Sequence, residues 1–278
     1  MIGAVEAGGT RFRLARAVVS GDEVRLLERE ELMTGEPGPT LQKLREFFAK
    51  HPVERVGVAS FGPLDLATGV LGRTPKEAWR GVSLRDAIRE PIVVETDVNA
   101  AAIAERRWGA GQGADPLVYV TMGTGIGGGL IVDGRPLHGA MHPEMGHIAS
   151  SVEDDFSGVC PFHQRCIEGL ASGPAILART GQDPATLADD HAVWDMVGAH
   201  LGELAATAAL IVSAERVVVG GSVGRRARVV EAARQRVVET LAGYLPYVAE
   251  DPARFVQPAS TDDAGLLGAA WLAHSAGG

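Results

Sequence analysis

A chain of 278 residues holds one large domain or two modest ones, each with its own core. Its 26 basic and 35 acidic residues give a net charge of -9, which argues against a nucleic-acid surface or an anionic membrane as partner. The hydrophobic content of 46% is that of a globular protein. No stretch reaches the roughly 18 uninterrupted apolar residues of a membrane span, and no basic-then-apolar leader opens the chain, so the expected location is the cytoplasm.

In chain order, Ile2 to Ala7 is a short apolar strand, Gly8-Gly9-Thr10 a turn, and Phe12 to Val18 a second strand. Val24 to Met33 supplies a third. After Pro37-Gly38-Pro39 the positions Leu41, Leu44, Phe47 and Phe48 recur at helical spacing. Arg55 to Phe61 and Pro91 to Thr96 read as strands, with a short helix around Ser83 to Arg89 between them. Asp97 opens a helix that ends in the glycine run Gly109 to Gly113, the candidate domain linker.

The second half opens like the first: strand Leu117 to Met122, a glycine turn from Gly123 to Gly129, and strand to Val132. Helices are predicted from about Glu168 to Arg179, Ala192 to Ser213, Arg225 to Ala249 and Ala264 to His274, with a strand at Arg216 to Val219 running into Gly220-Gly221.

Gly123-x-Gly125-x-x-Gly128 matches a dinucleotide fingerprint, but strand and turn follow it where that fingerprint needs a helix. None of the three lysines follows a glycine, so there is no Walker A loop. A glycine hairpin can still present successive backbone N–H groups to phosphate oxygens, and two such hairpins could grip a polyphosphate. Two ordinary tight turns are the plainer reading.

Between His142 and Ser172, His147, Cys160, His163 and Cys166 read H-x12-C-x2-H-x2-C, which offers four ligands to one tetrahedral zinc. The alternative is a disulfide or a pair of small core thiols beside loop histidines. Glu144 and Glu168 flank the cluster and point to a substrate site beside it. Asp97, at a strand's carboxyl end and a helix's amino end, is either a helix N-cap or a base that accepts a hydroxyl proton.

These motifs resemble the ROK family of sugar kinases and repressors, within the actin and hexokinase superfamily. Glu6-Ala-Gly-Gly-Thr10-Arg11 is similar to its first phosphate motif, Glu95 to Ala100 to the segment of the catalytic aspartate, and Met122 to Gly129 to its second phosphate motif. Val218-Val-Gly-Gly-Ser222 is similar to its adenosine motif. His142 to His147 with Cys160 to Ser172 matches its sugar and zinc segment. The resemblance implies an α/β fold of two ribonuclease-H-like lobes around a cleft, with residues 1–110 and a returning helix near 264–278 in one lobe. Residues 111–263, with the zinc loop 147–166, form the other.

It also implies an ATP-dependent hexose kinase using Mg2+, with structural zinc on His147, Cys160, His163 and Cys166, acting as a homodimer. Asp97 would be the general base, and Thr96, Glu144, His147 and Glu168 would meet the sugar. Gly8, Gly9 and Thr10, with Gly123, Thr124, Gly125, Gly127 and Gly128, would hold the phosphates, and Gly220 and Gly221 the adenosine. Glu6, Thr96 and His163, where most members have Asp, Asn and Cys, together with Thr74-Pro75-Lys76-x-x-Trp79, resemble the fructokinase branch and imply D-fructose. Glu6 is a candidate partner for Mg2+. The alternatives are glucose, mannose or an N-acylmannosamine as substrate, or a sugar-responsive regulator without catalysis.

Overall fold

Strands β1 (Ile2–Ala7) and β2 (Arg11–Ser20) pair antiparallel across the Gly8 to Thr10 turn, Ala7 opposite Phe12 and Glu6 opposite Arg13. The structure, a computed structural model, describes residues 1–74 and 76–277. Strand β3 (Glu23–Met33) adds antiparallel to β2, and helix α1 (Pro37–Lys50) leads to β4 (Arg55–Ser60). A small ribbon of β5 (Leu64–Asp65) and β6 (Val70–Leu71), then α2 (Leu84–Ala87), precedes β7 (Ile92–Thr96) and α3 (Asp97–Trp108).

In the second half β8 (Leu117–Met122), β9 (Ile126–Val132) and β10 (Arg135–Pro136) form an antiparallel meander. Helices α4 (Ile167–Ala171), α5 (Gly173–Thr180) and α6 (Val193–Val212) follow, then β11 (Arg216–Gly220) and α7 (Ala227–Leu241). Short helices α8 (Pro246–Glu250) and α9 (Pro252–Phe255) lead to β12 (Val256–Pro258) and the last helix, α10 (Ala264–Ser275).

Contacts divide the chain into one unit of Met1–Arg107 with Asp262–Gly278 and another of Trp108–Thr261. The first holds a sheet ordered β3-β2-β1-β4-β7 and the second a sheet ordered β10-β9-β8-β11-β12. In each, the three outer-to-middle strands are antiparallel and the remaining pairings are parallel.

In the first unit β1 and β4 are buried on both faces, as parallel-paired strands are. Val5, Ala7, Val56 and Val58 face Phe47 and Phe48 of α1, while Ala4 and Ala59 face Ala269 and Ala270 of α10. The α10 side is built from small residues because the helix lies close to the sheet. A Cβ on Gly57 would run into the carbonyl oxygen of Ala269, and one on Gly268 into that of Ala100.

In the second unit Val118, Val120, Met122, Val217 and Val219 pack with α6 and α7. Gly198 and Gly202 let these helices touch backbone to backbone. Helix α6 is long and apolar enough for a span by length and composition, with mean hydropathy 1.3, but most of it is buried in this core.

Two long helices expected from periodicity are broken. The one expected over Glu168 to Arg179 is interrupted at Ser172, whose extended backbone (φ -71, ψ 167) ends α4. Pro174 has no N–H to continue the ladder, so a new helix starts with proline in its first turn. The one expected over Arg225 to Ala249 ends at Leu241, because Ala242 is left-handed (φ 48) and Gly243 follows at φ 77. Pro246 and Pro252 then start α8 and α9, and β12 lies beyond them.

Gly57→Ala should destabilise the protein by about 2 kcal/mol, an overpacking cost in which neither backbone can yield. Chemical denaturation compared with wild type checks it.

Candidate active site

In the first unit the parallel strands β1, β4 and β7 end level with one another, Ala7 beside Ser60 and Ser60 beside Thr96. The Gly8 to Thr10 turn and Asp97 therefore leave the same, carboxyl edge of one sheet, the edge at which open α/β sheets bind ligands. The turn is shaped by Gly8 N donating to Arg11 O at 2.9 Å and is tied to β3 by Thr34 Oγ1 donating to Gly8 O at 2.7 Å. A Cβ on Gly8 would lie 2.8 Å from Arg11 O, so the residue must be glycine.

Helix α3 is capped by Thr96, whose Oγ1 accepts from Asn99 N at 3.2 Å. Asp97 is thus the first helical residue, half-buried, and Val98 N donates to its Oδ1 at 2.9 Å. The capping role that competes with catalysis as an explanation of Asp97 is filled by its neighbour. Glu95 closes the corner beneath, accepting from Thr96 N at 2.8 Å and from Asn99 Nδ2 at 2.9 Å.

Glu6 does not stand alone. Arg13, its cross-strand partner, is paired to its carboxylate, and Arg13 Nη1 reaches Asp263 Oδ1 at 2.7 Å, with Arg29 paired to the same aspartate. Burial raises the Glu6 carboxyl above its ordinary value, and the Arg13 guanidinium works against that rise. Arg13 and Asp263 were not expected from motifs. The hairpin register places Arg13 opposite Glu6 once the turn is set at Gly8 to Arg11, so that signal was present.

Trp79 is core: it is 1% exposed, stacks near Phe12, and its Nε1 donates to Gly35 O at 2.9 Å. Lys76 Nζ reaches Thr34 O at 3.4 Å, and Thr74 is buried. Pro75 of the same motif lies outside the described residues.

In the second unit the Gly123 to Gly125 turn between β8 and β9 is closed by Gly123 N donating to Gly125 O at 2.9 Å. Gly127 and Gly128 continue it within β9, opposite Thr121 and Val120. Met122 O, at the end of β8, accepts from Val223 N at 3.0 Å and from Gly224 N at 3.3 Å, which seats the Gly220-Gly221 corner against the turn. Gly221 (φ 83) has no room for a Cβ against the Met122 backbone. Gly173 N, at the start of α5, donates to Gly123 O at 2.7 Å.

His147, Cys160, His163 and Cys166 converge, their ligand atoms all within 4.8 Å of one another. Both cysteines are free thiols, so a disulfide is ruled out. His147 Nδ1 lies 3.8 Å from Cys160 Sγ and 3.5 Å from Cys166 Sγ, and His163 Nδ1 lies 3.8 Å from Cys160 Sγ. Tetrahedral zinc with ordinary Zn–S and Zn–N lengths requires S···N edges of roughly 3.5 Å, so the donors fit that ion. Burial pushes the Cys166 thiol up to about 11, and the neighbouring Cys160 and Glu168 add to it. A bound cation would reverse that by stabilising the thiolate.

The loop is wound tightly enough that a Cβ on Gly158 or Gly169 would strike Gln164 O. The segment before it is anchored separately. Arg179 pairs with the buried Asp154 and holds its carboxyl well below the usual range, and buried His200 donates or accepts at Ser150 Oγ, 2.8 Å away.

With Nδ1 toward the sulfurs, His147 turns Nε2 to the other side, 3.9 Å from Glu168 Oε1. Glu168 Oε2 accepts from Ile126 N at 2.9 Å. Glu144 opens the 3-10 turn Met145–His147, with His142 Nδ1 3.6 Å away, and burial raises its carboxyl above the ordinary value against the pull of His142 and His147. The structure therefore brings Glu168, His147, the metal-type cluster and the second glycine turn together. Asp97, Thr96 and the first glycine turn lie together in the first unit.

Two five-stranded sheets of the same order, each opening on a glycine turn, define a pair of ribonuclease-H-like units, the second carrying a zinc-type loop. The chain belongs to the ROK family, whose model matches residues 2–276. A protein named putative fructokinase from Bacillus subtilis (strain 168) is 37% identical, covering 99% of this chain and 96% of its own. The fructokinase of Zymomonas mobilis is also 37% identical, with the same coverage of 99% and 96%. Among solved structures, a ROK family glucokinase from Streptomyces griseus in complex with glucose and AMPPNP is 27% identical, with a TM-score of 0.77 over 99% of both chains.

Thr96→Ala should cost about 1 kcal/mol of stability through loss of the cap. Asp97→Ala should cost less than that, because no cap is lost. Thermal unfolding of the two variants side by side distinguishes them, and equal losses would return the capping role to Asp97.

Proposed function

We propose that this protein is an ATP-dependent hexose kinase acting on D-fructose, with D-fructose 6-phosphate and ADP as products. The observation that carries the reading is the assignment of the α3 cap to Thr96, which puts Asp97 at the first helical position, on the carboxyl edge of the sheet that also carries the Gly8 to Thr10 turn. Family membership supplies the reaction class, and the two relatives named fructokinase favour the sugar.

In this reading Asp97 accepts the proton of the sugar's primary hydroxyl while that oxygen bonds to the γ-phosphorus and the bond to the ADP oxygen breaks. The backbone N–H groups of the Gly8 to Thr10 and Gly123 to Gly128 turns hold phosphate oxygens. Gly220, packed against the Tyr119 ring, and Gly221, packed against the Met122 backbone, form the corner assigned to the adenosine. Mg2+, when bound to the nucleotide, neutralises charge on the phosphates. Glu6 is a weaker partner for that ion than a lone carboxylate would be, since Arg13 already compensates it.

Glu144, His147 through Nε2, and Glu168 hydrogen-bond sugar hydroxyls, and Thr96 supports Asp97 from beneath. His147, Cys160, His163 and Cys166 would hold zinc with all four positions filled, so that the ion would supply a scaffold. The cytoplasm, where ATP and reduced thiols are found, is the fitting location.

Asp97→Asn should lower turnover by a factor of roughly a hundred to ten thousand, with nucleotide affinity nearly unchanged. Coupled ADP-release assays over fructose, glucose, mannose and N-acetylmannosamine should show fructose with the highest kcat/KM. Turnover of glucose at the same efficiency sinks the assignment of the sugar, and an active Asp97→Asn enzyme sinks that of the base. Elemental analysis should find about one zinc per chain, falling with Cys160→Ser, and a content well below one overturns the four-ligand centre.

A further inference from the structure

Glu168 is expected to contact the sugar, yet its shortest contact is elsewhere. Oε2 accepts from the backbone N–H of Ile126 at 2.9 Å, where the second glycine turn becomes β9. The carboxylate also lies against Gly125: a Cβ built there would be 2.9 Å from the same oxygen. The other oxygen, Oε1, faces His147 Nε2 at 3.9 Å. Helix α4, which carries Glu168, starts one residue after the ligand Cys166, and its N-terminal segment is fixed to the other side of the cluster by Ile167 N donating to Ile148 O at 3.1 Å.

Beyond its own backbone bonds the turn has little to hold it, since residues 123 to 129 have only Thr124 and Ile126 with side chains. Gly173 N fixes its first carbonyl, and Glu168 fixes its last amide. Both come from the α4 to α5 segment that follows the cysteine loop.

We propose that Glu168 is a positioning residue for the nucleotide as well as a sugar contact: it sets the phosphate turn through Ile126, so that the zinc-type loop organises the ATP side of the site. The proposal rests on the reading of Gly123 to Gly128 as the turn that binds phosphate. A carboxylate shared in this way links sugar and nucleotide binding, because a sugar hydroxyl that hydrogen-bonds Oε1 fixes the carboxyl plane and with it the direction in which Oε2 holds the turn.

The test is calorimetric titration of a non-hydrolysable ATP analogue with Mg2+ into the zinc-loaded protein, in the absence of sugar. Glu168→Ala should raise the nucleotide Kd about tenfold, the loss expected for a hydrogen bond to a charged group. Glu168→Gln, whose amide oxygen can still accept from Ile126 N, should stay within about threefold of wild type. If Glu168→Ala cannot be titrated because it unfolds, Glu168→Met fills the same volume and carries the same expectation. Nucleotide affinity equal to wild type in the Ala or Met variant overturns the proposal and leaves Glu168 a sugar contact alone. Amide shifts of Gly125 and Ile126 in the wild type decide separately whether the turn meets the nucleotide. If they do not move on adding the analogue, the reading of the turn fails; if they move while the variants bind normally, only the role of Glu168 does.

Discussion

A backbone turn that is to meet phosphate must be nearly free of side chains, and a turn free of side chains has nothing of its own to hold it rigid. In both units the glycine turn is fastened from outside. In the first, Thr34 Oγ1 and the Arg11 carbonyl hold Gly8. In the second, the fastening comes from three directions: Val223 and Gly224 on the carbonyl of Met122, Gly173 on that of Gly123, and Glu168 on the amide of Ile126. Two of the glycines answer to these approaches. Gly221 is glycine because the Met122 backbone occupies the place of its Cβ, and at Gly125 an added Cβ would lie 2.9 Å from Glu168 Oε2.

The parts that are local in sequence were legible there. A strand, glycines and a strand can hardly be read otherwise than as a hairpin, and four nitrogen and sulfur donors spaced H-x12-C-x2-H-x2-C converge as the spacing implies. Periodicity misled where a helix is interrupted without a change in its apolar pattern. Ile167 to Thr180 keeps helical spacing across Ser172, and the break is marked only by Gly173-Pro174. Likewise Ala242-Gly243 and Pro246 end the run that seemed to extend α7, and the three-residue β12 is too short to show alternation. Asp97 is subtler. Thr96 and Asp97 are both good caps by residue type, and only the hydrogen bond from Asn99 N to Thr96 decides between them.

Cross-strand partnership was the other hidden layer. Glu6 is one methylene longer than Asp, and the motif alone says nothing of Arg13. The register of β1 against β2 puts the two opposite each other, and Asp263 then joins Arg13 to Arg29 at the entry to α10. The closeness of α10 is part of the same arrangement. Gly265 abuts the Glu6 carboxylate, so the position of the last helix and that of the Glu6 side chain are fixed together. A carboxylate paired with Arg13 in this way is a weaker partner for a cation than a lone one would be.

The zinc-type centre gains its meaning from its distance in sequence to Glu168. An ion bound by all four donors would have no vacant position from which to polarise a substrate, so its contribution would pass through geometry. Cys166 and Glu168 are two residues apart, and α4 begins between them. Fixing the sulfur therefore fixes the start of the helix and the base of the glutamate with no flexible bond sequence longer than one residue intervening. His147 is constrained in the same way: its Nδ1 faces the sulfurs, so Nε2 is committed to the side where Glu168 lies. An ion held there would orient two groups on different elements, His147 in the 3-10 turn Met145–His147 and Glu168 in α4, whose carboxylate accepts from Ile126 N where β9 begins.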